Sequence, residues 1–238
     1  TYVEIGIRTG RSLRLALPGT VAVGIDPAPC VDAPLSADCQ VFRTTSDDFF
    51  AEHDLRQVLG GRSLDLAFID GMHHFEFALR DFMNLEKFAG PDTTVLAHDC
   101  YPVDEASASR EETRPIWSGD VWKLVLCLKE QRPDLKIAVV DVPPTGLGVI
   151  SGCDPGSRVL EERYEEIVEH YSQVPYSRLD EDKAGTLNRV DDEWGSVAAL
   201  LPPKPFRSFP VAPLKVRRTL GAVSLSARRR ASKLLHSV

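Results

Sequence analysis

Asp26, Asp47, Asp70 and Asp99 each close a short apolar run, and two of them stand beside an imidazole: His73 follows Asp70 by three residues, and His98 directly precedes Asp99. Carboxylates accept hydrogen bonds from hydroxyls and bind hard cations, and an imidazole exchanges a proton near neutral pH. Acidic residues are common on surfaces, so each aspartate alone means little. Four of them after successive apolar runs suggest carboxylates gathered around one cleft.

The run Val3-Glu4-Ile5-Gly6-Ile7-Arg8-Thr9-Gly10, followed by Val21-Ala22-Val23-Gly24-Ile25-Asp26, reads as strand, glycine turn, helix, strand, acid. Gly6 and Gly10 let the chain turn sharply and let a ligand lie against bare backbone. Asp26, at the tip of the next strand, can accept both hydroxyl hydrogens of a ribose. A dinucleotide site would need Gly-x-Gly-x-x-Gly, and Arg8 and Arg11 stand where the second and third glycines belong. The pyrophosphate fingerprint fails, which argues against a nicotinamide-dependent oxidoreductase.

What remains, Glu-x-Gly-x-x-x-Gly plus a ribose acid, resembles the cofactor motif of class I S-adenosylmethionine-dependent methyltransferases. The resemblance implies that Glu4, Gly6 and Gly10 flank the methionine part of S-adenosylmethionine and that Asp26 holds its ribose. Ser46 and Asp47 fall where the family contacts the adenine edge; either could equally be a helix N-cap. Downstream, Phe68-Ile69-Asp70-Gly71-Met72-His73-His74-Phe75-Glu76, then Asp81, Gly90-Pro91 and Val95-Leu96-Ala97-His98-Asp99, resembles a subfamily that includes sugar and macrolide O-methyltransferases. Its pattern is Phe-Ile-Asp-Gly-Asp-His-x-Tyr-Glu, an Asp five residues later, and His-Asp after the next strand. The resemblance spans residues 2 to 150. Two positions depart from it: Met72 stands where an acid is usual and Phe75 where Tyr is usual.

Methylating a hydroxyl requires an in-line approach to the sulfonium methyl and loss of a proton from a weak acid. His73, just past a strand exit, is the candidate base, with Asp99 beside it in the catalytic set. The alternative help is Mg²⁺, for which Asp70 and Asp99 with His98 are the candidate ligands. His98 is the weakest of these, because imidazole is an uncommon partner for that ion. Asp70 and Asp99 could equally cap helices and bind cofactor with no ion present. The acceptor class is a small-molecule hydroxyl, of a sugar or another secondary metabolite. A catalytically silent methyltransferase-like binding module is the competing reading. Trp122 reads as core and Trp117, after the fifth strand, is open between core and acceptor wall.

These residues need elements to hold them. Apolar runs near residues 39–44, 64–69, 93–97, 137–142 and 146–150 read as further strands. Helical periodicity marks 49–59, 74–88, 120–131 and 156–171. The last two strands are joined too tightly for a helical crossover, hence antiparallel. The fold class is α/β: a Rossmann-like, mostly parallel seven-stranded sheet with an antiparallel C-terminal hairpin strand and helices on both faces.

With 238 residues, 43% hydrophobic and 26% charged, the chain has the composition of a globular protein, and no apolar run reaches membrane-spanning length. Residues 1–201 are assigned to the methyltransferase domain, whose start before Thr1 is expected to be missing, and 202–238 to a proline-rich linker and basic tail. From Lys204 onward there are nine Lys or Arg and no acid, so the preceding part is strongly acidic. The tail reads as a solubilising end; membrane or nucleic-acid contact is the less favoured alternative. Five cysteines without a Cys-x-x-Cys pair suggest reduced thiols and a cytoplasmic setting, and the region before the tail could mediate homo-oligomers.

Overall fold

Aliphatic runs that are apolar on both faces fold as buried strands, and the computed structural model, which describes residues 1–203 apart from 33, 36 and 37, forms them into one sheet. Strands β1 (Tyr2–Ile5), β2 (Val21–Ile25), β3 (Asp38–Phe42), β4 (Leu64–Ile69), β5 (Ala89–His98), β6 (Lys136–Val140), β7 (Leu147–Ser151) and β8 (Arg189–Val190) lie in the order β3-β2-β1-β4-β5-β7-β6-β8. β1 to β5 are mutually parallel, and β7 is antiparallel to both β5 and β6. The Rossmann-like, mostly parallel architecture is therefore as the alternation of elements suggests. Among the described residues the sheet has eight strands, not seven, because Arg189 and Val190 pair in parallel with Val139 and Val140. Two residues carry no periodicity, so this edge strand leaves no mark in the sequence. The basic tail assigned from Lys204 lies outside the described residues.

The strand order reverses between β1 and β4. At such a switch point the loops leave in opposite directions and open a crevice beyond the carboxyl ends. Gly6 follows β1 and Asp70 follows β4, so both stand at that crevice.

Helices α1 (Ser46–Glu52), α2 (Leu55–Val58), α3 (Phe75–Glu86), α4 (Trp122–Gln131), α5 (Val159–Glu162), α6 (Tyr164–Ser172), α7 (Lys183–Thr186) and α8 (Trp194–Leu200) follow in chain order. The stretch expected as one helix over 49–59 is two, since Asp54 accepts from the Arg56 amide and starts a second. The helix expected between β1 and β2 is absent; a single 3-10 turn, Leu13–Leu15, stands in its place. One face of the sheet buries Val3, Ile5, Val23, Ile25, Ala67 and Ile69 against Phe49, Phe75, Leu79, Phe82, Leu124 and Val125 of the helices. The other face carries a smaller cluster of Tyr2, Ile7, Leu13 and Ala22. No helix among the described residues is long and apolar enough to cross a membrane.

Candidate active site

A cavity of about 650 Å³ opens at the carboxyl ends of β1, β2, β4 and β5, within the size range of small-ligand sites. All four strand-end aspartates line it, together with Gly6, Ser46, His73 and His98. The convergence expected of those carboxylates is present.

At Gly6 the backbone leaving β1 lies hard against the backbone leaving β4. With φ +85° and a would-be Cβ only 2.0 Å from the Asp70 carbonyl oxygen, no side chain fits there. Across the crevice, the Asp26 carboxylate accepts from the backbone amides of Arg8 and Ala28, each at 2.7 Å. Those bonds fix its direction, and each oxygen retains acceptor capacity for a ligand hydroxyl.

Two members of the cofactor set do not line the cavity. Glu4 is fully buried, accepting from the Tyr2 hydroxyl at 2.7 Å and from Ser12. Burial raises its pKa, which the hydrogen bonds from Ser12 and Tyr2 oppose. Its observable work is to tie β1 to the turn after Gly10 rather than to face a ligand. Gly10 lies away from the cleft, with Val31 at 3.2 Å from a would-be Cβ. Motif spacing shows that residues share a turn, not which way each side chain points.

Beyond β3, neither Ser46 nor Asp47 caps α1. Thr45 does, accepting from the Asp48 amide. Asp47 is clamped by the Arg80 guanidinium at 2.7 to 3.2 Å, so both its oxygens are engaged inside the protein. Asp81, one turn along α3 from Phe77, also reaches the cavity and is 3% exposed.

The proton-handling groups sit at the exits of β4 and β5. His73 Nδ1 lies 3.1 Å from Asp99 Oδ2 and 3.3 Å from the Trp117 carbonyl oxygen, and Nε2 lies 3.8 Å from Asp70 Oδ1. Acceptors around Nδ1 favour the proton there and leave the Nε2 lone pair free. Trp117 stacks on the ring at 4.8 Å and 20°, and the Phe75 amide behind it is capped by Asp120 Oδ1 at 2.8 Å. Gly119 touches the His73 carbonyl so closely that a Cβ would collide with it. Asp99 itself is 2% exposed and has φ +63°, an uncommon conformation that turns its carboxylate toward the imidazoles.

His98 Nδ1 is 3.2 Å from Asp70 Oδ1 and 3.1 Å from Asp99 Oδ2. Burial alone would lower its pKa, but the two carboxylates outweigh burial and push it up to about 10. The two carboxylates thus favour the protonated form of His98. Among the described residues, Asp70, His73 and Asp99 form a group whose donor atoms all lie within 4.8 Å of one another. That set takes His73 as its imidazole, while His98 Nδ1 lies between the carboxylates of Asp70 and Asp99.

Facing these groups is an apolar wall of Met72, Pro115, Ile116 and Trp117, with Phe77 further in. Met72, which replaces the usual acid, is 55% exposed at the rim. Trp122 is core, as its helical position suggests. Thr145, which lines the cavity with a buried hydroxyl that makes no hydrogen bond, had no signal in the sequence.

A family model described as "Methyltransferase domain" matches residues 3–100. Among solved structures, the chain is similar to cofactor-bound Rv0187 from MTB, with 15% identity, TM-score 0.48, and 64% of this chain and 72% of that one covered. It is similar to the O-methyltransferase TomG from Streptomyces achromogenes in complex with SAM, at 18% identity, TM-score 0.46, and coverage of 64% and 73%. For an O-methyltransferase from Bacillus cereus in complex with SAH the values are 12%, 0.45, 63% and 72%. No curated protein matches the sequence.

Proposed function

We propose that the protein is an S-adenosylmethionine-dependent methyltransferase, a reading supported by the match of residues 3–100 to a methyltransferase-domain model, and that it methylates a hydroxyl of a small molecule, a sugar or another secondary metabolite, with His73 as general base. The observation that carries this reading is that Gly6, Asp26, His73 and Asp99 line one cleft at the β1/β4 switch point.

The residues suit the cofactor. Gly6 offers bare backbone where a side chain would fill the space, Asp26 points a pre-oriented carboxylate, and the cavity has room. When bound, S-adenosylmethionine supplies an electrophilic methyl on a sulfonium. The chain supplies the rest. The Trp117 carbonyl accepts from His73 Nδ1 and the Asp99 carboxylate lies 3.1 Å from the same nitrogen, so Nε2 can accept the acceptor's hydroxyl proton. The imidazolium then formed is stabilised by Asp99, while the His98 cation offsets the charge of Asp70 and Asp99. The wall of Met72, Ile116 and Trp117 orients the acceptor and excludes water.

A second reading rests on the donor cluster of Asp70, His73 and Asp99, which suits a divalent ion such as Mg²⁺ through its two carboxylates. The two readings compete for His73: an imidazole bound to an ion cannot also remove the proton. Five free thiols support a cytoplasmic setting.

The test is methyl transfer from labelled S-adenosylmethionine to a panel of hydroxylated sugars and polyketides, with and without EDTA. Turnover that persists in EDTA supports the base. Turnover lost in EDTA and restored by Mg²⁺ supports the ion. Binding of S-adenosylmethionine without transfer to any acceptor favours the silent binding module.

A further inference from the structure

Resting on the reading that the cleft transfers a methyl group with His73 as base, we infer that Arg110 is a positioning residue. It clasps the segment between β5 and α4 onto the start of α3 and so holds Trp117 against the His73 ring. Glu76, in the first turn of α3, does not line the cavity. It faces the Arg110 guanidinium, whose Nη1 and Nη2 donate to its two oxygens at 3.0 and 2.6 Å. Nη1 also donates to Asp120 Oδ2 at 2.8 Å. One planar fork thus joins a carboxylate of α3 to a carboxylate three residues past Trp117.

The contacts around that fork converge on the base. Asp120 is buried, its Oδ1 accepts from the Phe75 amide at 2.8 Å, and its own amide donates to the His73 carbonyl at 3.2 Å. The Arg110 carbonyl oxygen lies 3.0 Å from His74 Nε2. One residue earlier, the Ser109 carbonyl accepts from the Trp117 indole N–H at 2.6 Å, which fixes the ring that stacks on His73 at 4.8 Å. Burial would raise the Glu76 pKa, but the hydrogen bond and charge of Arg110 help bring it below its ordinary value. Arg110 does not line the cavity and its side chain is 40% exposed, so its removal loosens the segment without opening the core. Arg114 is the contrast: it pairs with Asp104 of the same segment at 2.7 Å, both side chains exposed, and reaches across to nothing on α3.

The experiment takes two readings on the full chain. The first is the NMR position of the His73 Cε1 proton at one fixed pH in EDTA, identified by its loss in His73→Gln. The stacked indole displaces it upfield, and Trp117→Ala sets the unstacked position. Arg110→Ala should carry the proton more than half of the way to that position, and Arg114→Ala should leave it in place, as expected for an exposed ion pair. The second reading is methyl transfer from labelled S-adenosylmethionine to the hydroxylated panel. Arg110→Ala should lower kcat by about tenfold or more with S-adenosylhomocysteine affinity unchanged. The double variant Arg110→Ala/Trp117→Ala should match Trp117→Ala alone within about twofold, since one residue acts through the other. Arg110→Lys, a point charge without the fork, should recover only part of the loss. Should Arg110→Ala not fold, as judged by circular dichroism, Glu76→Gln, which weakens the same clasp from α3, is read in its place with the same expectation. A proton that keeps its wild-type position in Arg110→Ala overturns the inference, as does one moved equally by Arg114→Ala, or a double variant in which the two losses multiply. A wild type that methylates no acceptor overturns the proposed activity, while the proton position still decides the clasp.

Discussion

Gly6 and Gly19 share one backbone conformation, φ +85°, and differ in what a side chain would meet. At Gly19 a Cβ finds nothing within 4 Å; at Gly6 it lands 2.0 Å from the Asp70 carbonyl oxygen and 2.7 Å from Gly71 Cα. Gly19→Ala thus isolates the cost of a left-handed backbone, about 1–2 kcal/mol. Gly6→Ala pays that cost and also pushes the β4 exit aside, an overpacking penalty of about 1–3 kcal/mol. The obstacle is main chain, which cannot rotate out of the way, so the upper half of that range is expected. In a domain of this size the two variants should differ in Tm by about 4–12 °C. Asp70 and His73 ride on the displaced segment, so Gly6→Ala should also weaken S-adenosylhomocysteine binding by about tenfold, or about 1.4 kcal/mol, while Gly19→Ala leaves it intact. Differential scanning calorimetry and titration calorimetry read the two effects. Equal Tm and equal affinity for the pair would refute the close approach of the strand exits that shapes the cleft.

Three further outcomes follow from the site. His73→Ala should lower turnover by about 10²–10⁴-fold with cofactor affinity unchanged; retained activity would remove His73 from the base role. His98, whose pKa rises from its ordinary 6.5 to about 10 on folding, contributes stability that is complete below pH 6.5 and is lost as the pH climbs through about 10. NMR titration of the imidazole in EDTA should therefore show a midpoint near 10, and a midpoint near 6.5 would mean that Asp70 and Asp99 do not hold its proton. Asp120→Ala should cost about 3–5 kcal/mol in urea unfolding, because it strips Lys123, buried beside it at 3.2 Å, of its carboxylate partner. Asp120→Asn, which keeps the cap on Phe75, should cost less.

Strand-end residues were legible because a buried parallel strand must be apolar along its whole length, so its exit is visible as the first polar residue. Asp26 and Asp70 emerged this way; Asp99 follows His98 directly, Asp47 lies five residues past the more exposed β3, and all four reach the cleft. Side-chain direction was not legible. Glu4 belongs to the motif yet points into the protein toward Tyr2 and Ser12, and Asp47 is spent on Arg80 from a helix 33 residues away. Such partners are set by tertiary packing, which leaves no local spacing. The same holds for Asp120 capping Phe75 across 45 residues and for the Thr145 hydroxyl. The first crossover misled because a glycine turn followed by Leu13 and Leu15 resembles a helix start, whereas Ser12 is held by Glu4 and the chain manages only one 3-10 turn.

The central claim is that donor and base share the crevice between β1 and β4. A crystal structure of the chain soaked with S-adenosylhomocysteine and Mg²⁺ tests it most directly. The amino-acid end should lie against Gly6, both ribose hydroxyls on Asp26 and the thioether sulfur toward the side of the cleft that holds His73. A ligand seated elsewhere, or a thioether turned away from His73, would contradict it.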